Sequence, residues 1–184
     1  MALACITLAY APESINDYLA FDRQAIFSGE IWRLWSAHLV HFSAQHALVD
    51  TAVFFLLGAL VEQEIGTRRL GIGLALGAPF ISLGLLLATP DLLYYRGASG
   101  LAMMVAILAG TSLWTKTASH RMVLALLAFG LVIKTACEAF GISADLSRLP
   151  QNAVVAWQAH VLGAGAGWLI ALTSVRPCSM ARYK

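Results

Sequence analysis

Long runs without charged residues constrain this chain more than any other feature of its sequence. Residues 70–89 and 97–115 contain no charged side chain, and residues 149–175 contain only His160 as an ionisable group. A helix of about 20 residues spans a hydrocarbon core of about 30 Å, so each run is long enough to cross a membrane. Hydrophobic residues make up 59% of the 184 residues and charged residues 12%, which is untypical of a soluble domain. The sequence therefore predicts an all-α polytopic membrane protein.

Six helices are expected to form a single membrane-embedded domain that covers residues 1–184. Two further apolar runs carry one charge each, Asp50 in one and Lys134 in the other, where the long lysine side chain can reach the interface. The first run is only about half a span long, and a long outer loop is expected at about 12–33. The predicted helices lie at about 2–11, 44–63, 70–89, 98–115, 121–139 and 150–174.

Basic residues are distributed unequally between the loops, which assigns an orientation. Seven of them fall on one face, and the positive-inside rule makes that face cytoplasmic, with both termini inside. On the opposite face basic residues are mixed with more numerous acidic ones, Glu138 among them. A net charge of +2 gives no reason to expect nucleic-acid binding, and three scattered cysteines do not form a disulfide framework. The seven basic residues are Arg68, Arg69, Lys116, Arg121, Arg176, Arg182 and Lys184.

Three polar side chains are predicted to lie at one depth. Ser99, His160 and His46 are each 16 or 17 residues from the first charged residue at the cytoplasmic end of their helix, a distance of about 24 to 26 Å. In a core of about 30 Å, all three then lie a few ångströms below the outer surface. Asp50 follows His46 by four residues, on the same helix face and about one turn deeper. Ionisable groups inside a membrane usually face the bundle interior or a water-filled cavity, so these residues are functional candidates.

The stretch RGASGLAMM, residues 96–104, holds Ser99 at the outer end of an apolar run. Gly97 and Gly100 allow a close approach of the backbone at this helix start, where unpaired N–H groups can stabilise an oxyanion. His160 can take the proton of the serine, which completes a minimal pair of nucleophile and base. Each feature also has a structural interpretation, because small residues are common at membrane helix contacts and a buried histidine can serve as a hydrogen-bonding residue.

Two other classes of function are compatible with some of these residues. His38, His41, His46 and Asp50 cluster with spacings that are compatible with zinc ligands, but no H-E-x-x-H motif occurs and a metal site leaves Ser99 unexplained. No metal or cofactor is therefore expected. A small-solute transporter is suggested by charges near mid-membrane, but the sequence lacks the repeat symmetry that many transporters display.

The same residues resemble, in order, the motifs of the rhomboid family of intramembrane serine proteases. The resemblance covers residues from about 32 to 168 and begins with the WR pair of the first outer loop, Trp32 and Arg33. Any one motif is modest evidence, whereas the ordered set is specific. The motifs that follow are His41, His46 and Asp50 in HFSAQHALVD, Glu62 and Gly66 in VEQEIG, Ser99 in GASG, and His160, Gly163 and Gly167 in AHVLGAGAG.

The resemblance implies a six-helix rhomboid-like bundle with a Ser-His dyad, no acidic third member, and a water-filled cavity open to the outside. Ser99 would attack a peptide carbonyl, while His160 removes its proton and later protonates the leaving amine. The backbone N–H of Ser99 and the side chain of His46 would bind the oxyanion, and His41 would help to order the outer loop. Structural roles are implied for Trp32, Arg33, His41, Glu62, Gly163 and Gly167.

Two residues depart from the family pattern. Asp50 stands where the family usually has asparagine, and an ionised carboxylate cannot donate to an oxyanion. Burial favours the protonated carboxyl, so Asp50 either donates as an acid or orients His46 instead. Met103 stands where some members have a tyrosine under the catalytic histidine, and it fills the space without an aromatic face.

The short chain and its GASG motif look like the bacterial rhombosortase branch of the family. That likeness implies a bacterial inner-membrane enzyme whose site opens to the periplasm. Its partners would be the lipid bilayer and transmembrane protein substrates, specifically exported proteins that carry a C-terminal Gly-Gly, a hydrophobic helix and a basic tail. The chief alternative is a catalytically inactive relative that binds membrane clients, whose signature would be loss of the serine or the histidine; Ser99 and His160 are both present.

Overall fold

The computed structural model describes residues 1–116, 118–142 and 156–174. Within these ranges the chain is mostly helical. The predicted start of the last helix near residue 150, together with the basic residues Arg176, Arg182 and Lys184, lies outside the described residues. The elements are α1 (Ala2–Leu8), α2 (Glu13–Leu19), β1 (Phe21–Asp22), α3 (Arg23–Phe27), α4 (Arg33–Ser36), α5 (Ala44–Ile65), α6 (Thr67–Ala88), β2 (Tyr94–Tyr95), α7 (Ser99–Lys116), a 3₁₀ turn (Ala118–His120), α8 (Arg121–Ala139) and α9 (Trp157–Ser174).

Among the described residues, three helical stretches are long and apolar enough to cross a membrane. They are α5, α6 and the stretch Ala118–Ala139, which joins the 3₁₀ turn to α8. The apolar part of α7, Ser99–Trp114, is shorter. The first helix ends at Leu8 and is shorter than the sequence suggested. The total of six spans and the orientation of the chain therefore stay predictions.

The segment expected to be an outer loop is folded. It contains α2, β1 and α3, and β1 pairs antiparallel with β2, so that Phe21 lies opposite Tyr95. The buried guanidinium of Arg33 donates hydrogen bonds of 2.7 Å to the carbonyls of both Asp17 and Ala20. The last carbonyls of a helix have no partner within it and need donors when water is excluded, and the arginine supplies them at the end of α2. Arg33 thus joins α4 to the outer segment, and the pairing of β1 with β2 joins that segment to the strand that precedes α7.

Helix α4 and the loop after it pack across α6 at the proline inside that helix. Pro79 has no N–H, so the carbonyl of Ala75 lacks its helical partner. The indole N–H of Trp35 donates to that carbonyl at 2.8 Å. His38 Nε2 lies 3.0 Å from the carbonyl of Ala78. These contacts fix the segment that precedes α5 against the middle of α6.

Candidate active site

Ser99 is half-buried and begins α7, where the preceding backbone is held from two sides. Gly97 has a φ of +139°, a conformation that glycine adopts readily and other residues rarely do. Its N–H donates to the carbonyl of Ala37 at 3.1 Å, and its own carbonyl accepts from the hydroxyl of Tyr95 at 2.8 Å. Burial raises the pKa of Tyr95, so that the phenol remains a neutral donor. The turn before Ser99 is therefore fixed by contacts from separate parts of the chain.

His41, His46 and Asp50 form a buried cluster beside this turn. The N–H of Ala98 donates to His41 Nε2 at 3.2 Å. The Nε2 atoms of His41 and His46 lie 3.4 Å and 3.3 Å from Asp50 Oδ2. Because the His41 nitrogen accepts a hydrogen bond, it carries no proton to give to the carboxylate, so His46 is the imidazole whose N–H can face Asp50, at a distance longer than an ordinary hydrogen bond. The geometry favours Asp50 as the residue that orients His46.

His46 also lies against the backbone that leads into Ser99. A Cβ atom added at Gly97 would be 3.2 Å from His46 Cε1 and 3.3 Å from Asp50 Oδ2. The imidazole is positioned by the start of α5, where the Ser43 hydroxyl accepts a hydrogen bond of 3.0 Å from the His46 N–H. Glycine at position 97 thus permits both the turn and the close approach of this side chain.

Helices α7 and α9 meet backbone to backbone next to the predicted nucleophile and base. A Cβ atom at Gly163 would lie 2.0 Å from the carbonyl oxygen of Gly100. One at Gly100 would lie 3.0 Å from the carbonyl oxygen of Ala159. Only glycine leaves room for such contacts between membrane helices. Since Ser99 precedes Gly100 and His160 follows Ala159, the two residues occupy neighbouring positions on adjacent helices.

The same contact continues along α9. A Cβ atom at Gly167 would lie 2.5 Å from the carbonyl oxygen of Met104, whereas nothing lies within 4 Å of one at Gly165. The contact therefore follows the face of α9 that carries Gly163 and Gly167. Met103, which stands at the tyrosine position of the family, is buried.

His160 has a carboxylate partner that the sequence analysis did not assign. Its Nδ1 atom lies 2.8 Å from Glu138 Oε2, and both side chains are less than one tenth exposed. Lys134, one turn earlier on α8, binds the other carboxylate oxygen of Glu138. The sequence did contain a signal, because Glu138 lies on the predicted outer face, at the level expected for His160.

The remaining residues singled out in the sequence lie outside this cluster, although the His38 ring packs edge-on against Tyr95, with ring centroids 5.7 Å apart. His38 contacts α6, where its Nε2 also lies 3.0 Å from Ser82 Oγ. Burial lowers the pKa of His38 to about 4, so it is neutral at physiological pH. Glu62, at the far end of α5, accepts a hydrogen bond of 2.6 Å from Thr67 across the turn at Gly66. Trp32 packs on Tyr18 in the outer segment, with ring centroids 5.3 Å apart.

Within the described ranges, no group of three or more histidine, cysteine or acidic side chains has an arrangement that could hold a metal ion, and the cluster of His41, His46 and Asp50 is no exception. Of the four residues with zinc-ligand spacing, His38 contacts α6 from the loop after α4, whereas the other three lie beside the turn before Ser99.

Residues 28–177 match the family model described as Rhomboid domain. The match covers more than half of the chain and includes all the residues of the site described above.

Proposed function

The chain belongs to the rhomboid family of intramembrane serine proteases, and from this premise we propose that it is an active endopeptidase with Ser99 as nucleophile and His160 as base. Family membership and the apolar helices make it an integral membrane protein. The proposed substrates are proteins with a single transmembrane segment, cut in or near that segment.

In the proposed reaction, Ser99 Oγ attacks the carbonyl carbon while its proton passes to His160. The oxyanion is bound by the backbone N–H of Ser99 and by the single N–H of His46, which Asp50 and the oxyanion would share. His160 then protonates the leaving amine, and a water molecule, activated by the same imidazole, hydrolyses the acyl-enzyme. The half-buried position of Ser99 supports this scheme, because both peptide and water must reach the hydroxyl.

The observation that carries the proposal is the contact between α7 and α9. Gly100 and Gly163 bring the two backbones so close that a single methyl group would prevent the approach. Such a contact beside Ser99 and His160 gives a serine and a histidine from separate helices a fixed relation, which nucleophilic catalysis requires.

The subfamily, the topology and the substrate class are proposed from the sequence alone. We propose a bacterial inner-membrane enzyme of the rhombosortase type, with cytoplasmic termini and a site open to the periplasm. Its substrates would be exported proteins with a C-terminal Gly-Gly, a hydrophobic helix and a basic tail. The Gly-Gly pair at the cut site would favour unwinding of the substrate helix, because glycine has low helical propensity.

Co-expression with such C-terminally anchored proteins tests the function. Release of the substrate is expected with the wild-type chain and is expected to be abolished by Ser99→Ala. Ser112→Ala, which alters a serine farther along the same helix, is the matched control and should release the substrate normally. Substrate that is bound but never cut would favour the inactive client-binding alternative, and cleavage that survives Ser99→Ala would refute the nucleophile.

A further inference from the structure

The proposed catalytic pair is accompanied by a buried carboxylate. Glu138 lies in the last turn of α8 with its side chain 8% exposed, and its Oε2 is 2.8 Å from His160 Nδ1. A buried carboxylate is costly at the end of a membrane helix unless it is paired and hydrogen-bonded. Here Oε2 faces the imidazole of His160 and Oε1 faces the ammonium of Lys134. Each oxygen therefore has a different partner.

This arrangement decides which ring nitrogen of His160 carries the proton. An ionised carboxylate only accepts hydrogen bonds, so His160 Nδ1 must be the donor. Nε2 is then the nitrogen with a free lone pair, which is the form that a general base needs. Without the carboxylate, neutral imidazole could also place its proton on Nε2, and that tautomer cannot take a proton from Ser99.

We propose that Glu138 is a positioning residue that extends the Ser-His pair to a triad, and that Lys134 holds it in place. The inference rests on the proposed function. In the acylation step the Ser99 Oγ–H bond breaks and its proton moves to His160 Nε2, while Oγ bonds to the carbonyl carbon and the π pair of the carbonyl moves to its oxygen. The C–N bond then breaks, and the proton on Nε2 passes to the leaving amine. Glu138 stays ionised throughout, and it stabilises the imidazolium that results.

Glu138→Gln is the informative substitution because Lys134 fixes how the amide must point. The ammonium only donates, so the amide oxygen would face Lys134 and the amide NH₂ would face His160. The NH₂ group donates to Nδ1, which moves the ring proton to Nε2 and blocks the base. In the double variant Lys134→Met/Glu138→Gln, the amide is free to turn its oxygen towards His160. That variant should recover part of the lost activity.

The test uses the purified full chain in detergent and a fluorophosphonate probe, whose phosphorus Ser99 attacks with loss of fluoride. Glu138→Gln is expected to lower the maximal labelling rate by at least about 100-fold, with the probe's half-saturating concentration changed less than about twofold. The double variant should be labelled at least about tenfold faster than Glu138→Gln. Glu64→Gln, on α5, is the matched control and should label like the wild type.

A labelling rate of Glu138→Gln within about threefold of the wild type, while Ser99→Ala is not labelled, would overturn the inference and leave the proposed function standing. A loss that the double variant shares in full would assign Glu138 a purely structural role and would also overturn it. If the wild type itself is not labelled at Ser99, the proposed function fails, and the inference is still tested by the tautomer of His160.

The tautomer is measured by ¹⁵N NMR of protein labelled at its histidine rings, with the His160 signals assigned by comparison with His160→Asn. The inference requires a protonated Nδ1 in the wild type and a protonated Nε2 in Glu138→Gln. A wild-type ring protonated on Nε2 would overturn it whatever the labelling shows.

Discussion

Helices α7 and α8 follow one another in the chain but are attached to the rest of the molecule in different ways. In α7, Leu101, Met104 and Val105 are at most 2% exposed, and the helix contacts α5, α6 and α9. No residue of Arg121–Ala139, the extent of α8, is fully buried. Yet α8 supplies the carboxylate that binds His160. Packing thus fixes the backbone of the site, whereas a polar contact from a peripheral helix sets the state of the imidazole.

The largest difference in stability and labelling is expected between substitutions of glycines that lie at the α7–α9 contact and substitutions of glycines that lie away from it. Gly163→Ala would place a methyl group 2.0 Å from the carbonyl oxygen of Gly100, so the helices must separate. We expect a loss of about 3 kcal/mol or more of stability and an at least 100-fold slower labelling of Ser99 by the probe. Thermal unfolding in detergent and the labelling rate measure the two effects.

Gly165→Ala on α9 and Gly130→Ala on α8 are the controls, since nothing lies within 4 Å of a Cβ atom at either position. Both should be as stable as the wild type or slightly more stable, because alanine favours helix over glycine. A Gly163→Ala protein that unfolds at the wild-type temperature would show that the backbone contact is not tight.

The pH dependence of stability should respond to a substitution in the buried segment that packs on α6, but not to one in the exposed turn before α8. The folded-state pKa of His38 is about 4 against an ordinary value of 6.5, because burial disfavours the charged ring. The unfolded chain therefore binds this proton first, and the stability due to His38 is complete above pH 6.5 and declines as the pH falls towards 4. By pH 4 the loss is of the order of 3 kcal/mol.

The measurement is the unfolding temperature between pH 7 and pH 4. His38→Gln keeps an N–H donor for Ala78 but does not titrate, so its decline should be shallower than that of the wild type. His120→Gln, at the exposed turn, should follow the wild-type curve. Equal slopes for His38→Gln and wild type would contradict the burial argument.

Leucine-to-alanine substitutions allow a direct comparison of side-chain packing in α7 and α8. Leu101 is 2% exposed and Leu126 is 63% exposed. Lipid is as apolar as leucine, so Leu101→Ala should cost mainly its packing contacts, about 2 kcal/mol, and Leu126→Ala less than about 0.5 kcal/mol. Equilibrium unfolding in mixed micelles measures both. Equal costs would mean that α8 is covered by other parts of the protein.

The smallest expected effect concerns Asp50. In Asp50→Asn, the amide oxygen can face His46 as the carboxylate oxygen does, while the NH₂ group becomes available to an oxyanion and the negative charge beside that oxyanion is removed. We expect labelling to become about 3- to 10-fold faster. Asp91→Asn, in an exposed loop, is the control. Slower labelling of Asp50→Asn would show that the ionised carboxylate is needed to hold His46.

The sequence indicated features that depend on local composition. Apolar runs predicted helices close to the observed Ala44–Ile65, Thr67–Ala88, Ser99–Lys116 and Arg121–Ala139, because length and hydropathy alone define such helices. The small residues of α9 likewise suggested a close helix contact. Which of them make that contact depended on the facing helix, as the different surroundings of Gly163 and Gly165 show.

Contacts between residues that are far apart in the sequence could not be predicted in this way. The pairing of Phe21 with Tyr95 and the bond from Glu138 to His160 depend on how whole elements are arranged, which residue type and spacing do not encode. The short helices of the outer segment were missed although Asp22 offered a cue. Its side chain accepts from the N–H groups of Gln24 and Ala25 at the start of α3, as a helix-capping aspartate does.

The central claim, that Ser99 is activated by His160, is tested most directly by mapping the fluorophosphonate adduct by mass spectrometry in the wild type and in His160→Asn. The account predicts an adduct on the peptide that contains Ser99 in the wild type and its near-complete loss in His160→Asn, while that variant still unfolds cooperatively. Equal modification of Ser99 in both proteins, or an adduct on another residue, would contradict it.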